Sequence, residues 1–146
     1  MKVTVPSLAL AGLLLCSSVW AIDNPDSSDP LESFRTKARP FAAQIQSPAN
    51  STQDYHRIYG DYLQFLDKEL NQAYQSLMIR LGDTEKRQLR LAQRQWLKYR
   101  DAEFQFVDRN WTAAQFGSSS GLSRGAYKTS LVRARVEALL GYLQNY

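Results

Sequence analysis

Two side chains on which much enzyme chemistry rests are nearly missing: the chain has one cysteine, Cys16, and one histidine, His56. A single histidine excludes a His-rich zinc site, and Cys–His nucleophilic chemistry would require Cys16, which falls in a leader expected to be cleaved. A serine nucleophile would have only His56 as its base, and no Gly-x-Ser-x-Gly elbow occurs. The carboxylate pairs Asp67/Glu69 and Asp101/Glu103 are two residues apart, so on a helix they face different ways. No catalytic, cofactor-binding or metal-binding residue is therefore expected, and the chain is read as not an enzyme. Charge of one sign is also scarce. Eighteen basic residues stand against fourteen acidic ones, a net charge of +4. That mild excess favours acidic partners without forming the basic footprint of a nucleic-acid binder.

The first residues differ from all that follow. Lys2 supplies a positive start, Leu8 to Leu15 is almost wholly apolar, and Val19-Trp20-Ala21 ends in a small residue. This order marks a secretory signal peptide over residues 1–21 with cleavage after Ala21. The apolar run is too short for a spanning helix, and no later segment is apolar enough for one. Leu15 stands where lipidation of Cys16 takes Gly or Ala, which weighs against a lipid anchor. Cleavage of 21 of the 146 residues leaves 125, without cysteine; loss of Lys2 lowers the net charge by one, to +3. A domain of this size buries roughly two-thirds of its unfolded surface, so packing can hold it without disulfides.

Residues 22–50 read as a flexible leader with a short helix. IDNPDSSDP is polar and proline-bounded, and Leu31, Phe34, Ala38, Phe41 and Ile45 share one side of a helix that Pro40 should kink or split. Residues 51–146 read as one helical domain. Ser51 or Thr52 caps a helix carrying Ile58, Tyr62, Leu66, Ala73, Leu77 and Leu81 at helical spacing. Gly82 stops it, and a third helix runs from Asp83 or Thr84 to about Asn110 with Leu89, Ala92, Trp96, Tyr99, Ala102 and Phe106 as its apolar stripe. Arg87, Arg90, Arg94 and Lys98 line its other side, the ordinary wet face of an amphipathic helix. Two such helices joined by a tight turn lie antiparallel as a hairpin. Residues 112–123 form the longest break, and a last helix from about Arg124 to Leu143 turns Tyr127, Leu131, Ala134 and Ala138 toward the hairpin. The expected fold is all-α: an antiparallel helical hairpin plus a C-terminal helix and a short N-terminal helix, a small helical bundle.

Trp111 and Phe116 fall off the helical pattern beside the loop Gly117 to Gly121. Aromatics there can anchor a protein partner or fold back on the bundle. The candidate partner-binding residues are Trp111, Phe116, Gly117, Ser118, Ser119, Ser120 and Arg124.

The run from Leu66 to Tyr74 (LDKELNQAY), followed by the run from Leu89 to Glu103 (LRLAQRQWLKYRDAE), resembles the lysozyme-inhibitor LprI-like N-terminal domain family. That family's pattern is a D-x-ELN-x-x-Y helix, a tight turn, and an LR-x-AQR-x-W-L-x-(Y/F)-RDAEC helix. The resemblance covers roughly Thr52 to Leu143, with Phe116-Gly117-Ser118 and Arg135 fitting its later loop and final helix loosely. The family pattern also carries cysteines; here Phe104 follows Glu103, and the disulfides which that pattern implies are missing together. The matching residues Asp67, Asn71, Tyr74, Gln93, Trp96, Arg100 and Asp101 are expected to be structural, with Asp67, Asn71, Gln93, Arg100 and Asp101 able to cross-link two antiparallel helices through charge-assisted bonds.

The resemblance implies an exported periplasmic or secreted binding protein that inhibits a cell-wall hydrolase, of the lysozyme-inhibitor or toxin-immunity type. Its partner would be a protein, such as a muramidase or other peptidoglycan hydrolase, not nucleic acid. The alternative is an envelope adaptor or stress-related accessory protein that uses the Arg87–Lys98 stripe. The leader reading has a direct check: N-terminal sequencing of the exported product should begin at Ile22, and intact Met1 on the exported protein would overturn it.

Overall fold

A computed structural model describes residues 29–146. The expected signal segment 1–21, with Cys16, and the leader up to residue 28 lie outside the described residues. Those described form helices α1 (Pro30–Ile45), α2 (Thr52–Arg80), α3 (Asp83–Asn110), α4 (Ala113–Phe116) and α5 (Ser120–Leu143), with no strand among them.

Local sequence explains most helix ends. Asp29 caps α1 by accepting from the Leu31 amide at 2.9 Å, with Pro30 at the first helical position where its missing N–H costs nothing. Ser51 and Asp54 form a reciprocal capping box at the start of α2. Leu81-Gly82 then reverses the chain into α3.

Pro40 does not split the first helix in two; α1 continues through it. An interior proline costs about 3 kcal/mol, but burial of the surrounding face opposes that cost. Phe34 and Ala38 are buried, and Phe41 stacks on Tyr62 and lies tilted against Phe65, with ring centroids 4.8 and 5.1 Å apart.

α2 is the spine of the bundle. Ile58, Tyr62, Leu66, Ala73, Leu77 and Leu81, the stripe read from periodicity, are all buried. α1 lies antiparallel to it, with Lys37 beside Glu69 and Phe41 beside Tyr62. α3 also runs antiparallel, since Asp67 meets Arg100 while Leu77 and Leu89 share a groove nearer the turn. α5 runs parallel to α2: Gly121 meets His56, Gly125 meets Tyr59, and at the far end Arg80 donates to the Leu143 carbonyl. The main core joins Phe34 and Ala38 of α1, Tyr62 to Leu77 of α2, and Val132, Val136, Leu139, Leu140 and Leu143 of α5.

Two expected faces are rotated. On α3 the inward side is Leu89, Gln93, Val107 and the half-buried Trp96, Arg100 and Phe104, whereas Tyr99 and Phe106 are 50% and 57% exposed and Ala92 and Ala102 lie outside. Polar partners decide this. Gln93, Arg100 and Glu103 each find a bond across the interface, which outweighs the apolar period. On α5 the core face is Val132, Val136, Leu139 and Leu143, while Leu131 and Ala138 are half-buried and Ala134 is exposed. This helix is apolar on several sides, so spacing does not single out one face. It also begins earlier than expected, at Ser120, and the expected break holds the short α4.

The close α2–α5 contact depends on missing side chains. A Cβ at Gly125 would sit 2.6 Å from the Tyr59 ring, and one at Gly121 2.4 Å from the His56 ring. Thr129 continues the row, its buried hydroxyl donating to the Gly125 carbonyl at 2.8 Å. Gly125→Ala should therefore cost about 1–3 kcal/mol in thermal or urea unfolding. Gly60→Ala meets nothing within 4 Å and should stabilise by up to about 1 kcal/mol. Equal effects of the two substitutions would show that the helices do not touch here.

Candidate functional site

α3 lies on the seam between α2 and α5 but does not close down on α2. A groove of about 580 Å³ separates them, with Asp67, Asn71, Tyr74 and Gln75 on the α2 wall and Arg90, Gln93, Arg94 and Arg100 on the α3 wall. Leu70 and Leu97 also line it. Five of the seven motif residues expected to be structural meet here, and Trp96 and Asp101 flank them.

The groove has two unlike ends. At one, Arg100 donates from Nε and Nη2 to Asp101 at 3.0 and 2.8 Å, and its Nη1 lies 3.5 Å from Asp67. The same guanidinium sits 5.7 Å from the Trp96 ring centroid and 5.9 Å from that of Phe104. Burial pushes the Asp67 carboxyl above its usual range; Arg100 opposes that shift, and the Asp101 charge adds to it. Arg90 and Arg94 stand at the other end. Among the described residues the ion pairs of α3 use Arg100, Asp101 and Asp108, not these two. All four members of the basic stripe are exposed, as a wet face requires, and two of them, Arg90 and Arg94, also line the groove.

Gln93 links the groove to the third long helix. It is nearly buried, and its Oε1 accepts from Arg135 Nε at 3.1 Å. Arg135 also lies 5.8 Å from the Trp96 ring centroid, so the indole has two guanidinium groups within cation–π range. Of the motif's polar groups, only Asp67 and Arg100 pair across α2 and α3; Gln93 bonds to α5 instead, and Asp101 bonds Arg100 within α3. Asn71 and Tyr74 line the groove.

The seven candidate partner-binding residues gather where α3, α4 and α5 meet, but with unequal exposure. Trp111 folds back, its ring edge-on to Tyr127 with centroids 5.3 Å apart. Arg124 is occupied, donating to the Trp111 carbonyl and lying 3.7 Å from Asp108, which also accepts from Lys128 at 2.7 Å. Ser120 is buried in the first turn of α5, so it does not share the exposed loop expected of it. Helix formation through Gly121 draws it inward. Phe116, Gly117, Ser118 and Ser119 remain outside. Gly117 holds φ = +73°, a conformation that favours glycine, and with α4 it turns out Phe116, which is 59% exposed.

Two features escaped the sequence reading. The Gly121–Gly125–Thr129 spacing signals a close helix contact, and Arg90 with Arg94 shares the wall that carries Gln93. Neither follows from hydrophobic periodicity.

α3 is tied to α5 near the same end by Tyr127, whose hydroxyl donates to Glu103. That bond pushes the phenol up to about 12, with burial a smaller cause. Because the folded value lies above the unfolded one, this stabilisation is complete below about pH 10 and is lost as pH rises through about 12. Burial also pushes Tyr59 and Tyr62 up, so alkaline absorbance titration should show a late component, part of which disappears in Tyr127→Phe; eight tyrosines titrating together would refute the bond.

A protein-family model described as "Lysozyme inhibitor LprI" matches residues 43–139, from the end of α1 through most of α5. No curated protein matches, and no solved structure does.

Proposed function

The chain belongs to the lysozyme inhibitor LprI family, and on that premise we propose that it is an exported protein, periplasmic or secreted, that binds and inhibits a cell-wall hydrolase of the muramidase class. The family match over residues 43–139 carries this reading, since it spans the groove, the α3–α5 contact and the exposed turn together. An inhibitor needs no catalytic group of its own, only a surface rigid enough to fill an active site.

The surface best suited to that task is the turn Phe116–Ser119. A muramidase holds a general acid and a second carboxylate in a deep cleft. Phe116 supplies an apolar anchor, and Ser118 and Ser119 supply hydroxyl donors for carboxylates. The turn is backed by the Asp108–Arg124–Lys128 cluster and by Trp111 on Tyr127, so little entropy is lost on binding. Arg124 supports the turn in this arrangement and does not contact the enzyme. Tyr99 and Phe106, two turns apart on one flank of α3, extend the apolar surface leading to it.

Lysis of a cell-wall suspension by muramidase should slow in the presence of the mature protein. Phe116→Ala should weaken inhibition by at least about tenfold, as loss of an interface anchor does. Replacing both Ser118 and Ser119 by Trp should abolish it while the circular dichroism stays unchanged. Potency unaffected by either change would remove this turn from the interface, and absence of inhibition against a panel of muramidases would end the proposal.

A further inference from the structure

The groove between α2 and α3 contains polar groups that holding the helices together does not require. Gln93 is 8% exposed, yet only its oxygen is engaged, by Arg135. That bond fixes which way the carboxamide points and leaves its NH₂ group as a free donor lining the groove. Across from it, Asn71, Gln75 and the Tyr74 hydroxyl each offer both a donor and an acceptor. Arg90 and Arg94, one helical turn apart on the same wall, have no carboxylate partner among the described residues. A pair of guanidinium groups so placed matches a planar carboxylate better than a spherical anion.

We propose that this groove is a binding site for a carboxylate-bearing saccharide. Sugar hydroxyls donate and accept together, as the carboxamides and the phenol opposite them do, and Leu70 and Leu97 offer an apolar strip for a ring face. The volume of about 580 Å³ suits a small-molecule site rather than a protein loop. Asp67 does not repel such a ligand strongly. It is held by Arg100, and ten residues of helix put that pair about 15 Å along the axis from Arg90. The site therefore has a direction, with the acid group at the Arg90–Arg94 end and the neutral part of the sugar toward Gln93 and Asn71. This site stands apart from the exposed turn and does not rest on hydrolase inhibition.

Titration of the mature protein, followed calorimetrically and by amide chemical shifts, separates the possibilities with four probes. N-acetylmuramic acid and N-acetylglucosamine differ only in the O3 lactyl ether that carries the carboxylate, while lactate and inorganic phosphate supply the anion without the sugar. The expected result is saturable binding of N-acetylmuramic acid with shifts confined to the groove, and binding at least about tenfold weaker for the other three. The double variant R90Q/R94Q should lose that affinity by a similar factor while keeping its helical spectrum and its effect on muramidase. Gln93→Ala should weaken sugar binding, and Phe116→Ala should not change it. Absence of saturable binding, equal binding of N-acetylglucosamine, phosphate binding as tightly as the sugar acid, or an unchanged affinity in R90Q/R94Q would each overturn the assignment.

Discussion

Removal of two side chains lets α5 lie against α2. Gly121 lies against the His56 ring, and where Gly125 faces the base of the Tyr59 side chain there is no room for a methyl group; the parallel pair built on that contact buries most of the aliphatic core. Everything else is arranged around it. α1 covers one side of the pair through Phe34, Ala38 and Phe41, and α3 rests on the other. The hairpin turn at Gly82 makes α2 and α3 neighbours in sequence, but the tightest partner of α2 is the helix farthest from it along the chain.

With the apolar surface of α2 largely satisfied by α5 and α1, α3 is held differently. Beside the buried Leu89 and Val107, its attachments are polar: Arg100 to Asp67, Gln93 to Arg135, Glu103 to Tyr127 and Asp108 to Lys128. Such bonds are directional, so they set the rotation of the helix without drawing it into full contact. The groove along α2 is the result. It also explains why Tyr99 and Phe106 are turned outward: with Gln93 and Arg100 inward, the 3.6-residue period places those rings on the flank.

Much of this was legible in the sequence. The buried stripe of α2, the Ser51 cap, the reversal at Gly82 and the bounds of α3 all match their expected positions. The motif residues were also readable as a set, but of the expected links between the hairpin helices only Asp67 with Arg100 forms, while Gln93 turns to α5 and Asp101 stays within α3. The candidate partner residues were harder to sort. Trp111, Ser120 and Arg124 turned out to be anchored, while Phe116, Gly117, Ser118 and Ser119 remain exposed, and no neighbouring residue in the chain distinguishes the two groups.

The sequence by itself determined where α2 and α3 lie and where they stop, because caps, glycine turns and amphipathic spacing act over a few residues and need no partner. It determined too that packing rather than disulfides must hold the chain after residue 16, which contains no cysteine. Tertiary structure decided which side of α3 and α5 faces inward, that α5 runs parallel to α2, and that a groove opens beside the motif. Those outcomes depend on groups far apart in the chain, such as Gln93 with Arg135 or Tyr59 with Gly125. A helix's rotation about its own axis is settled only by what it meets.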